Sequence, residues 1–237
     1  MQLNGKIAIV TGASSGIGAE FSKALTKKGC HVYGLARRSE RLEQLQSRLG
    51  NHFTPVTLDI NDHEKVEAWV DETFSKSPLP DILINNAGIG YFGAVDELAP
   101  EDWDTMIQTN LTSVFRLTRL IVPLMKKSDA TNHIINIASV AGLLGNPNIS
   151  GYNASKFAIR GFSESLMKEL RNFRIKVTCV YPGSIATEFF DDHGGTHPNM
   201  MQGEDVANTI THILETPDNF LIDEITMRPL VPKPPNK

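Results

Sequence analysis

The sequence predicts an α/β protein: a doubly wound, mostly parallel sheet of seven strands with helices on both faces. Three observations lead there. Seven short apolar runs punctuate the chain, most of them rich in Val and Ile throughout rather than alternating, as strands covered on both faces are. Segments of helical period, long enough for crossover helices, lie between them. A glycine-rich turn joins the first run directly to the first helical segment.

In chain order the runs fall at 7–10, 31–35, 55–58, 82–84, 133–137, 177–180 and 224–227. The helical segments include 17–28, closed by Gly29 where a C-terminal glycine belongs, and 103–125. No repeat, low-complexity block or composition shift marks a linker, so 1–237 is read as one domain. The stretch 229–237 carries four prolines and is read as an extended, peripheral tail.

Composition narrows the function classes. Hydrophobic residues make up 41% of the 237 and charged residues 21%, which excludes a disordered or fibrous chain. Lys plus Arg (23) against Asp plus Glu (27) leaves −4, so no nucleic-acid partner is expected. Cys30 and Cys179 cannot build a disulfide framework, and Cys179, inside an apolar run, is read as core. The first six residues hold no apolar signal core and no run reaches membrane length, so a soluble cytoplasmic protein is expected. His193 and His197 stand four apart, but Gly194 and Gly195 between them argue for a solvated, mobile loop, and no metal is expected.

The first turn reads Thr11-Gly12-Ala13-Ser14-Ser15-Gly16-Ile17-Gly18. Its glycines allow a sharp turn and close approach of backbone to a pyrophosphate, with the free amides of a helix start behind them. No Gly-Lys-Ser/Thr follows, which excludes a nucleoside triphosphatase loop. The alternative is a strand–helix turn that holds no ligand. At the end of the second run, where an acid binds a free ribose 2′-hydroxyl, stand Ala36, Arg37 and Arg38 instead. Two guanidiniums suit a 2′-phosphate; the alternative is a solvated charge opening the next helix.

Tyr152 and Lys156 are four apart at the start of a helical segment, hence on one face. A cation there is expected to lower the phenol pKa from about 10 toward the working range of a general acid or base. As an isolated pair, the same spacing also describes an ordinary surface contact. Ser139 follows the fifth run at the carboxyl edge of the sheet, where a hydroxyl can hold a substrate oxygen or simply terminate a strand.

Together these motifs resemble the short-chain dehydrogenase/reductase family, single-domain type, from Lys6 to the region of Met227. In order they are Thr11-Gly12-x3-Gly16-x-Gly18, Asp59, Asn85-Asn86-Ala87-Gly88, Asn110, Ser139, Tyr152-x3-Lys156, and Pro182-Gly183 with Thr187. The resemblance implies a Rossmann-type fold, a single dinucleotide-binding and catalytic domain, and assembly as a homodimer or homotetramer. It implies Tyr152 as general acid/base, Lys156 as the residue that lowers the tyrosine pKa and binds the nicotinamide ribose, and Ser139 as the carbonyl orienter. It further implies Asn110 as the asparagine that interrupts its helix to hold a relay water. The cofactor would run past Gly12, Ser14, Ser15, Ile17 and Gly18, then Arg37 and Arg38. Asp59 and Ile60 would lie beside adenine, and Asn86, Ala87 and Gly88 along the cofactor. Pro182, Gly183, Ile185 and Thr187 would form the nicotinamide-side loop.

The expected activity is NADP(H)-dependent interconversion of a small-molecule carbonyl and alcohol. A non-catalytic NADP-binding regulator is the other function class, disfavoured because an idle scaffold has no need of the phenol–ammonium pair. Where many acyl-carrier-protein reductases of the family end in Val-Asp-Gly-Gly, this chain reads Ile225-Thr226-Met227-Arg228-Pro229. That ending, with Ala36-Arg37-Arg38 and Thr187-Glu188-Phe189, resembles the NADP-dependent serine and 3-hydroxy-acid dehydrogenase branch. The residues disagree with the branch. The pocket segments 89–96 and 139–152 and the lid 184–203 contain no Lys or Arg, whereas the lid carries Glu188, Asp191 and Asp192 beside Phe189, Phe190, Met200 and Met201. A neutral ketone or aldehyde is therefore expected ahead of a hydroxy acid.

Overall fold

Strand β1 (Ile7–Thr11) sits at the centre of the sheet because it is apolar on both sides: Ala8 and Val10 enter one core, Ile7 and Ile9 the other. In the computed structural model, residues 1–75, 78–191 and 193–231 are described. β1 pairs with β2 (His31–Ala36) and β4 (Ile82–Asn85); β3 (Phe53–Thr57), β5 (Asn132–Ile137), β6 (Ile175–Pro182) and β7 (Glu224–Met227) complete the order β3-β2-β1-β4-β5-β6-β7. All six pairings are parallel, so the sheet is more uniform than "mostly parallel".

Helices α1 (Gly16–Lys27), α2 (Ser39–Leu49) and α7 (Gly203–Leu214) cover one face through Phe21, Leu25, Leu42 and Ile210. On the other, α3 (His63–Phe74), α5 (Ser113–Met125) and α6 (Ser150–Leu170) contribute Val66, Leu117, Ile121 and Leu166. The expected helix 103–125 is α4 (Pro100–Ile107) running through a π turn, Gln108–Thr112, into α5. Both cysteines are free and buried, as expected for Cys179, and burial raises both thiol pKa values. Among the described residues no helix is long and apolar enough to cross a membrane. The tail's Leu230 is exposed, and positions 232–237 lie outside the described residues.

Chain order reverses between β1 and β4, which opens a crevice at their carboxyl ends. Thr11 closes the floor of that crevice. Its hydroxyl accepts from the amides of Asn86 and Ala87, both at 2.9 Å, and its carbonyl accepts from Asn86 Nδ2 at 2.8 Å.

β5, which leads to Ser139, carries a fully buried His133 as its second residue. Thr178 Oγ1 donates to Ile222 O and so accepts from His133 Nε2 at 2.8 Å, leaving Nδ1 unprotonated and without a partner. Burial depresses the imidazole pKa to about 3. A folded pKa below the unfolded one gives stability that is present above about pH 6.5 and lost on acidification. As the pH falls from about 6.5 to about 5, the slope of unfolding free energy on account of this residue should steepen from about 0.7 toward about 1.4 kcal/mol per pH unit, a slope that His133→Gln should remove in denaturant titrations.

Candidate active site

The phosphate loop depends on two close approaches. Gly12 has φ +68°, and a Cβ there would stand 2.9 Å from Asn86 Nδ2. A Cβ on Gly18 would stand 2.3 Å from the Gly12 carbonyl, which packs α1 against the turn. The loop opens into a cavity of about 650 Å³ along the carboxyl ends of the strands. Gly12, Ser14, Ser15 and Ile17 line it, followed by Arg37, Arg38, Asp59 and Ile60, then Asn86, Ala87 and Gly88. Ser139, Tyr152 and Lys156 stand at its other end with Pro182, Gly183, Ile185 and Thr187; Asn110 lies behind this lining, and Gly18 behind the loop. The size and the glycine cradle fit an extended dinucleotide.

Just beyond β2, Arg38 stands at the N-cap position of α2 and reaches back to the loop, donating to Ser14 Oγ (3.1 Å) and Ser15 Oγ (2.5 Å). Arg37 lines the cavity and is exposed. Arg41 was not singled out by sequence, although it lies one helical turn beyond Arg38 on α2. Its Nη1 stands 2.7 Å from both carboxylate oxygens of Glu188, and Arg38 Nη1 is 3.3 Å from the same carboxylate. Glu188 is thus turned to the arginines, which corrects its expected place among acids facing a substrate. Arg41, then Arg38, hold its carboxyl below the usual range.

At the other end of the cavity Lys156 is only 5% exposed and donates to Ile137 O at 3.0 Å. Burial lowers its pKa to about 8 and raises that of Tyr152 to about 12, with Ser139 pulling the phenol the other way. The expected lowering of the phenol pKa by Lys156 is therefore corrected. The ammonium stands 5.7 Å from the Tyr152 ring centroid, and burial of the phenol sets the direction of its shift.

Asn110 lies in the π turn and is fully buried. Its Oδ1 accepts from Ile89 N (2.9 Å), and its Nδ2 donates to Ile89 O (2.8 Å) and Ser155 Oγ (3.0 Å). Sequence reasoning missed Asn153, whose Nδ2 donates to Ala141 O and Leu144 O, both at 2.6 Å. Those bonds tie the loop after Ser139 to the helix of Tyr152. A buried chain from Asn85 to Asn136 to Ser163 (2.8 and 2.9 Å) braces the strands beneath, and nothing in local pattern marks Asn136 or Ser163.

The lid is anchored by parallel bridging of Ile185 with Met201, and it carries a short 3₁₀ turn, Glu188–Phe190. Phe189 and Phe92 each lie 5.7 Å from the Tyr152 ring. His193 stacks on Phe92 at 3.9 Å and donates from Nε2 to Gly90 O at 3.1 Å, so the expectation of a solvated, mobile His193 is corrected: aromatic packing holds it. Asp192 lies outside the described residues.

The family model for short chain dehydrogenases matches residues 6–196. The chain is a short-chain dehydrogenase/reductase. Farnesol dehydrogenase of Aedes aegypti is 35% identical over 242 aligned residues, covering 95% of this chain and 96% of the relative. Among solved structures, a 3-ketoacyl-(acyl-carrier-protein) reductase from Brucella melitensis complexed with NADH superposes with a TM-score of 0.86 at 28% identity, covering 96% and 98% of the two chains. The closed form of a serine dehydrogenase complexed with NADP+ gives 0.83 at 29%, covering 93% and 94%. Family membership makes this dehydrogenase/reductase an oxidoreductase with the Rossmann-type sheet described above.

Proposed function

We propose that this dehydrogenase/reductase, working as one catalytic domain over 1–237, interconverts a neutral carbonyl compound and its alcohol with NADP(H) as coenzyme. The observation that carries the reading is the convergence of Tyr152, Ser139 and Lys156 at one end of a cavity whose other end is lined by Arg37 and Arg38. When bound, the nicotinamide supplies or accepts the hydride. The Tyr152 hydroxyl donates its proton to the carbonyl oxygen in reduction and takes it back in oxidation, and Ser139 orients that oxygen. Lys156 binds the nicotinamide ribose. Asn110 has its side chain committed to Ile89 and Ser155, so its main-chain carbonyl, in the displaced π turn, is the group for a relay water. A non-catalytic regulator is disfavoured because burying the Lys156 ammonium is costly and serves no purpose in an idle scaffold.

A neutral substrate is supported by the aromatic surround of Tyr152: Phe92, Phe189 and the stacked His193. The full-length similarity to a farnesol dehydrogenase agrees, since farnesol is an uncharged alcohol. The 3-hydroxy-acid or serine-like alternative draws on the serine dehydrogenase likeness. Exposed Trp103, Phe115 and Phe157 on α4, α5 and α6 support assembly as a homodimer or homotetramer. The protein is read as cytoplasmic, with both thiols free.

Tyr152→Phe should leave fold and cofactor affinity intact while kcat falls by about 10²–10⁴. In the wild type the phenol's raised pKa keeps it protonated at neutral pH. Reduction should therefore be level around pH 7, whereas oxidation, which needs the phenolate, should rise by about tenfold per pH unit until the phenol titrates. Pre-steady-state rates in both directions check this. NADPH should be preferred over NADH by about tenfold or more, and replacing Arg37 and Arg38 together should shrink the preference through cofactor KM. A matched keto acid and its ester, compared by kcat/KM at pH 7.5, should favour the ester. Light scattering at micromolar concentration should give a dimer or tetramer rather than a monomer.

A further inference from the structure

The Arg38–Glu188–Arg41 bridge joins the ribose end of the cavity to the lid. Glu188 belongs to the same 3₁₀ turn as Phe189, which covers Tyr152. Its carboxylate lies between two guanidiniums at the end of β2, with Ser14 and Ser15 hydroxyls on Arg38 beside it. That is the position in which this type of sheet receives the 2′-substituent of an adenosine ribose. A carboxylate and a phosphate make the same kind of charge-assisted bonds to guanidinium, but the phosphate brings greater charge and an additional oxygen. All three side chains are about half exposed, so the bridge is screened and exchangeable.

We propose that Glu188 is an internal stand-in for the cofactor's 2′-phosphate: the phosphate displaces it from Arg38 and Arg41, and its release frees the lid turn that holds Phe189 on Tyr152. Glu188 and Arg41 then become determinants of coenzyme selectivity 147 residues apart in sequence. The lid responds to NADP and not to NAD. This inference rests on the NADP(H) reading, and the test separates the two.

Calorimetry with 2′,5′-ADP and 5′-AMP isolates the phosphate, because neither nucleotide carries the nicotinamide. In the wild type 2′,5′-ADP should bind the more tightly. Glu188→Gln should strengthen 2′,5′-ADP by about two- to fivefold and leave 5′-AMP unchanged, the upper part of the range expected on freeing a half-exposed ion pair. In an Arg41→Ala background the same substitution should gain less than about twofold, because its competitor's partner is gone. Chymotryptic cleavage at Phe189 and Phe190 should be accelerated by 2′,5′-ADP, not by 5′-AMP, and should be fast in Glu188→Gln without nucleotide.

If the wild type prefers 2′,5′-ADP but Glu188→Gln changes neither affinity nor cleavage, the stand-in is overturned and the coenzyme reading survives. An equal gain for both nucleotides, or the same gain with Arg41 absent, also overturns it, since that marks a general effect of removing charge. A wild type indifferent to the 2′-phosphate, with a Glu188→Gln variant that binds it, overturns both the displacement and the wild-type NADP preference, since Glu188 then blocks the arginines instead of yielding them. Indifference in both proteins overturns both.

Discussion

Everything this molecule can do at its sheet edge depends on the parting of β1 from β4. The chain winds outward in opposite directions from these two strands, so no crossover fills the space above their carboxyl ends. Thr11 keeps the two ends in register by accepting both amides of the Asn86–Ala87 peptide run. The glycine loop follows from one side of that junction and the Asn86–Gly88 segment from the other, and the cavity lies between them. Burial of β1 on both faces fixes the junction, since a shift by one residue would exchange its two apolar faces without gain.

A second constraint is the burial of Lys156 beside the half-buried, cavity-lining Tyr152. Burial moves the two groups in opposite directions, the phenol pKa up and the ammonium pKa down, and so favours the neutral form of each. The neighbouring polar groups are occupied in holding the frame: Asn110 clamps Ile89, Asn153 ties the Ser139 loop to α6, and Ser155 links Asn110 to the Tyr152 carbonyl. Each bond satisfies a buried polar atom that would otherwise be costly, and in doing so it fixes the position of a reactive neighbour. The lid completes the enclosure from outside through Phe189 and His193.

Much of this was legible in the linear chain. Unalternating Val/Ile runs signalled strands covered on both faces, and all seven are present, including the edge strand Glu224–Met227. The expected loop, ribose, adenine-side and nicotinamide-side residues converge on one cavity, with Gly18 and Asn110 supporting it from behind. These features were readable because each is local: a glycine spacing, a pair four apart on a helix, a serine at the end of a strand.

Sequence alone thus determined the sheet, its glycine loop and the candidate residues that line the cavity, because apolar periodicity and short spacings act over neighbouring residues. Only the tertiary structure decided the protonation of Tyr152, since desolvation depends on what packs over the ring from Phe92 and Phe189, far away in the chain. It alone brought Glu188 onto Arg38 and Arg41 and stacked His193 on Phe92. Such contacts join residues about 100 to 150 positions apart, and no local pattern encodes them: they exist because the lid is carried back across the carboxyl edge of the sheet, where side chains meet by geometry rather than by spacing.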